Sequence, residues 1–156
     1  MGLGPFPATG AEFMVAVQNT GESDYVLNLG LMLANGRVMF PKAIRLILSG
    51  PAGDTRELHY SDRRYGAIGG RLDSFVVPLR TGSTYVLSLS LDQYFSTATK
   101  EYSLKLIPGR HRITAQFEGR VAPATQLDMQ GIALLNYWTG TVESGAAEFE
   151  VSSSSN

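Results

Sequence analysis

The stretch KLIPGRHRITAQFEG, residues 105–119, decides the fold. Across residues 110–118, His111, Ile113, Ala115 and Phe117 alternate with Arg110, Arg112, Thr114, Gln116 and Glu118. Neighbouring side chains of an extended chain point to opposite faces, so a period of two predicts a strand with one face buried. The Pro108-Gly109 pair ahead of it marks a turn. His111 is one of two histidines in the sequence. Because it falls in phase with Ile113 and Phe117, the pattern assigns it to the core, not to a catalytic or metal site.

The same alternation recurs outward in both directions. FMVAVQ puts Phe13, Val15 and Val17 on one face, and NTGESD supplies turn residues before YVLNLGLML resumes an apolar run. Asn35-Gly36 is a hairpin signal, since both residues tolerate positive φ. Ile44, Leu46 and Leu48 share a face within residues 43–49, and residues 56–60 read as a shorter strand. Residues 74–79 and 84–91 form a further pair around Arg80-Thr81-Gly82-Ser83, with Tyr85, Leu87, Leu89 and Leu91 inward. Residues 92–101 break the alternation and read as a helical turn with Asp92 as N-cap. A last strand covers residues 147–151. Apolar spacing of three and four is nearly absent over any helix-length window. The chain is therefore read as all-β, an antiparallel two-sheet sandwich of about eight or nine strands over residues 12–151. A closed barrel is the alternative. Residues 1–11 read as an N-terminal extension and residues 152–156 as a disordered tail.

Composition narrows the classes. Of 156 residues, 44% are hydrophobic and only 17% charged, which suits many short half-buried strands in one domain. A formal net charge of −1 leaves no basic excess to grip a phosphate backbone, so no nucleic acid is expected as partner. The sequence has no cysteine, which removes disulfides and thiolate metal sites. No run approaches the roughly 20 apolar residues of a spanning helix, and MGLGPFPATG lacks the basic and apolar regions of an export signal. A soluble chain without a transmembrane segment is expected. The compartment stays open, as does an export signal removed ahead of residue 2.

LKLIPGRHRITAQF resembles the Leu-x-Pro-Gly-x-Tyr corner of immunoglobulin-like and fibronectin-like sandwiches, with His111 where the tyrosine stands. Together with FMVAVQNTG, FVVPLRTGSTYVLSLSL and WTGTVESGAAEFEV, the pattern is similar to bacterial immunoglobulin-like domains, including those of the intracellular proteinase inhibitor group. The resemblance covers residues 12–151 and rests on architectural motifs. It implies a non-catalytic immunoglobulin-like sandwich, with protease inhibition as a further implication.

Enzyme chemistry finds little footing. ELHYSD, residues 57–62, holds Ser, His and Asp, yet adjacent strand side chains point apart and no nucleophile elbow accompanies them. Two histidines without a cysteine or an HExxH run offer zinc no ligand face. Asp24, Asp54, Asp62 and Asp73 lie in or beside loops, where calcium could sit, but no DxDxDG run joins them. No catalytic, cofactor or metal residues are assigned. Candidate partner-binding residues come from two loops. SDRRYGAIGGR, residues 61–71, lacks the GK[ST] and following helix of a phosphate loop, and presents Arg63, Arg64, Tyr65 and Arg71, residue types enriched at interfaces. VAPATQLDMQGIALLNYW, residues 121–138, either caps the core or displays an apolar patch. Its consecutive Tyr137 and Trp138 would send one ring inward and one outward, the outward ring being the leading contact. The expectation is a non-enzymatic binding or structural module that recognises a protein partner through end loops and sheet edges. The alternatives are a self-assembling subunit joined through edge strands or the N-terminal segment, and a protease inhibitor inserting residues 61–71 into a cleft.

Overall fold

The computed structural model describes residues 2–3, 12–33, 38–61, 72–98, 104–123, 131 and 134–153. In chain order the strands are β1 (Gly2–Leu3), β2 (Glu12–Gln18), β3 (Tyr25–Leu33), β4 (Val38–Phe40), β5 (Ile44–Ser49), β6 (Thr55–Tyr60), β7 (Leu72–Leu79), β8 (Thr84–Ser90), β9 (Tyr94–Ser96), β10 (Gly109–Gly119), β11 (Gly140–Glu143) and β12 (Ala147–Val151). They pair antiparallel in three sheets: β1-β2-β8, β4-β3-β7, and β9-β6-β5-β10 with β11 and β12 along the far edge of β10. Inward side chains of all three form one core, including Val15, Leu29, Ile44, Leu46, Leu58 and Phe117. This is the antiparallel all-β sandwich that the alternation predicts. It holds more strands than expected because β1, β4 and β9 span two or three residues, too few for a period of two to register.

β10 organises the large sheet. Residues 112–117 pair with β5 on one side, while residues 109–113 pair with β12 and residues 116–119 with β11 on the other. β11 and β12 are one edge strand interrupted by a bulge. Gln116 lies opposite Glu143 and Ile113 opposite Ala147, so residues 144–146 face only residues 114–115. Ser144 mends the interruption: Ala115 N–H donates to its Oγ at 2.9 Å, and its own N–H donates to the Ala115 carbonyl at 2.8 Å.

One expectation is corrected. The break after β8 is a 3₁₀ turn over Leu91–Gln93 with Ser90, not Asp92, at its N-cap, and the Ser90 N–H donates to Gln93 Oε1 at 3.0 Å. That turn delivers the chain from the β2-β8 sheet to β9 at the edge of the large sheet. Within the expected N-terminal extension, Gly2 and Leu3 pair with Ala16 and Val15 of β2. The Asn35-Gly36 turn lies outside the described residues, but its flanks pair, with Leu33 opposite Val38.

His111 is buried, with 1% of its surface exposed. Its Nε2–H donates to the Ile107 carbonyl at 2.9 Å, and its ring stacks on Phe149 with centroids 5.3 Å apart and planes 19° apart. Nδ1 is buried without a hydrogen-bond partner among the described residues. Packing should therefore outweigh the hydrogen bond. His111→Ala is expected to lose about 2–4 kcal/mol in urea unfolding, and His111→Phe to recover most of it by restoring the stack and removing the orphaned nitrogen. Equal losses in both variants would mean that the bond to Ile107 matters more than the stack.

Tyr94 sits edge-on to Tyr60 at 5.4 Å, and its buried hydroxyl has no hydrogen-bond partner among the described residues. Burial first, and the neighbouring Tyr60 second, push its phenol well above the ordinary value of 10.0. In the unfolded chain the same phenol ionises near its ordinary value, so the unfolded state sheds the proton first and stability falls as pH rises through and beyond about 10. Tyr94→Phe should leave neutral-pH stability equal or up to about 1–2 kcal/mol higher, and should flatten the alkaline loss. Urea midpoints followed from neutral pH to about pH 11 check both.

Candidate interaction site

Asn19 closes one end of the sandwich. Its Nδ2 donates to the Ser23 carbonyl at 2.8 Å and to the Leu79 carbonyl at 3.1 Å, and its Oδ1 accepts from Gly21 N–H at 3.0 Å. Its backbone N–H donates to the Ser83 carbonyl, and Gly82 N–H donates to its own carbonyl. Asp24 Oδ1 accepts from Thr81 N–H at 2.9 Å. These bonds tie the end of β2 and the start of β3 to the turn between β7 and β8, which joins the two three-stranded sheets.

Trp138 is seated beside this corner. Gly119 and Gly140 are register partners on β10 and β11, and a side chain at either would meet the indole. A Cβ on Gly119 would lie 2.4 Å from Trp138 Cε3 and 2.5 Å from its carbonyl oxygen. The paired glycines thus open a notch in the sheet that the indole fills, stacking on Phe117 at 5.5 Å and 23°. Tyr137 is buried and forms a parallel bridge with Val26. Val26 N–H donates to the Asn136 carbonyl and Trp138 N–H to the Val26 carbonyl. The described end of the 121–138 loop therefore caps the core, with Tyr137 inward and Trp138 half-buried. Leu134 and Leu135, just ahead, are exposed. A cleft of about 320 Å³ opens between the sheets here, lined by Trp138, Phe117, Val142, Tyr25 and Leu27 among others.

The edges and faces differ in how they meet solvent. The outer face of the large sheet is charged: Arg45 bonds Glu118 at 2.6 Å and Glu57 at 3.3 Å, and Gln116 bonds Glu143 at 2.8 Å. Hydrogen bonding from Arg120, reinforced by the charges of Arg120 and Arg45, holds the Glu118 carboxyl below its usual range. The outer face of the β2-β8 pair shows Met14, Ala16, Val86 and Ser88 at its centre, with Met14 and Val86 exposed, and Glu12 and Gln18 at the two ends of β2. The β11-β12 edge is bulged and carries Glu143, Glu148 and Glu150, and β7 carries Asp73 and Pro78. β1, β4 and β9 are short. β8 reads Thr-Tyr-Val-Leu-Ser-Leu-Ser over seven residues, has no charge and no proline, and among the described residues pairs on one side only, with β2.

Of the predicted binding residues, Tyr137 and Trp138 are placed as above, whereas Arg63, Arg64, Tyr65 and Arg71 lie outside the described residues. The two loops are thus not brought together by anything described. His59 pairs with Glu57 at 3.2 Å, and Asp54 pairs with Arg56 at 3.0 Å. Among the described residues no three His, Asp or Glu side chains gather as a metal cluster. Residues 84–91 were legible as a strand, but nothing in the chain before pairing says which strands end a sheet.

No protein-family model, curated protein or solved structure matches this chain.

Gly119→Ala should unseat the indole and cost about 3 kcal/mol, at the upper end of overpacking losses, because backbone as well as side chain must move. Trp138 is the single tryptophan, so its fluorescence reports this directly. A red-shifted emission together with a lower unfolding midpoint is expected.

Proposed function

We propose that the chain is a non-catalytic, immunoglobulin-like structural module that associates with a second copy of itself by strand addition at β8. The contrast among edges carries this reading. Natural sheets blunt their edges with charge, proline, bulges or brevity, and β8 alone among the described edges uses none of these. Strand addition supplies main-chain hydrogen bonds, and alternate side chains set the register. A net charge of −1 leaves little repulsion between copies.

A two-fold axis at Leu87 pairs all seven residues, with Thr84 opposite Ser90, Tyr85 opposite Leu89 and Val86 opposite Ser88 of the second copy. Outward meets outward and inward meets inward, as the pleat requires. No like charges face each other. The half-buried Tyr85 then sits across from Leu89, an aromatic–aliphatic pair of the stabilising kind.

Register provides the test. Wild-type protein should show reversible association in sedimentation as concentration rises from micromolar to millimolar. Val86→Lys with Ser88→Lys puts cation opposite cation and should leave a monomer; Val86→Lys with Ser88→Glu puts cation opposite anion and should restore association. A wild type that stays monomeric, or two variants that behave alike, would sink the proposal.

A further inference from the structure

We infer that the cleft beside Trp138 is a binding site for a small uncharged aromatic molecule carrying a hydroxyl or similar polar group. This is separate from association at β8. None of the residues lining the cleft carries a charged side chain. A charged ligand entering would lose hydration and find no counter-charge, which disfavours it strongly in a half-enclosed apolar site. The floor is apolar and partly aromatic, from Val17, Leu27, Leu79 and Phe117, all buried core residues. That floor suits a ring, and suits a fully hydroxylated sugar poorly.

The polar groups divide into spent and unspent. The Asn19 amide is committed to Ser23, Leu79 and Gly21, so it shapes the wall without serving a ligand. The Tyr25 hydroxyl, the Gln18 amide and the Trp138 indole N–H form no hydrogen bond with other described residues. They are the groups left to orient a polar substituent at the mouth. A volume of about 320 Å³ falls at the lower end of the roughly 300–1,000 Å³ of small-molecule sites, which limits the occupant to one ring with short substituents. The site is also preformed, since the Asn19 bonds fix one wall and the glycine notch fixes Trp138. Little ordering remains to oppose binding.

With a single tryptophan, the indole N–H gives one NMR cross-peak that reports this cleft alone. Para-cresol, benzoate and glucose are titrated separately into ¹⁵N-labelled full chain, at a protein concentration where sedimentation gives one species. The expected result is a saturable shift of the indole peak with para-cresol, at least about tenfold weaker binding of benzoate, and no saturable shift with glucose. Val142→Phe fills the cleft from β11, and Thr20→Phe narrows its exposed mouth. Each should weaken para-cresol at least about tenfold while the unfolding midpoint stays near wild type, and the second keeps the test valid if the first disturbs the sheet. A shift that never saturates, survives both variants, or is matched by benzoate or glucose would overturn the assignment. Because the readout is the indole and not the mass of the particle, a failure here leaves association at β8 untouched, and the reverse holds.

Discussion

β10 is held by hydrogen bonds on both of its edges while its inward side chains are removed from water, and the rest of the molecule is arranged around that condition. Ile113, Ala115 and Phe117 have no exposed surface, so the strand cannot shift by one residue without turning its charged set inward. A slip would bury Arg112, Thr114, Gln116 and Glu118 and would expose the core. The partner strands inherit their register from this: β5 on one side, and on the other a bulged strand that absorbs its one extra residue through Ser144. The hydroxyl there does what a backbone carbonyl would otherwise do, which keeps the ladder satisfied across the irregularity.

The two outer faces give the molecule a direction. One is laced by Arg45, Glu57, Glu118 and Arg120 into a solvated network, where exposed pairs contribute little to stability but hold the face in water. Another, on β2 and β8, carries Glu12, Met14, Ala16 and Gln18 beside Thr84, Val86, Ser88 and Ser90. Glu12 at the start of β2 is the one charge on that face, so the two faces differ in how densely they are charged. The aromatic corner at Trp138 lies at one end of the sandwich, where the β2–β3 loop and the β7–β8 turn meet.

Much of the architecture was legible because alternation is a local signal. β2, β3, β5, β6, β7, β8, β10 and β12 match the periodic stretches to within two residues at their ends. β11 was missed because Gly140 and Thr141 carry no apolar phase, and their place is set by pairing with Gly119 and Glu118. The notch for Trp138 was hidden for the same reason: two glycines about 20 positions apart in sequence mean nothing until strand register sets them face to face. The choice between Tyr137 and Trp138 as the inward ring also depended on a contact with Val26, more than a hundred positions away. What periodicity conveys is which side of a strand is wet. Which strand ends a sheet, and which ring fits which gap, are properties of the assembled pairs.

The short connections at both ends of β8 have a mechanical meaning. The Arg80–Ser83 turn is clamped by Asn19 and Asp24, and the 3₁₀ turn over Leu91–Gln93 hands the chain directly to β9. With no slack at either end, the strand behaves as a rail fixed at two posts. Its exposed amides and carbonyls are already spaced and aimed, so a docking strand would meet a template that needs no induced folding. A second copy seated there about a two-fold axis would use each β8 edge once, so growth would stop at two.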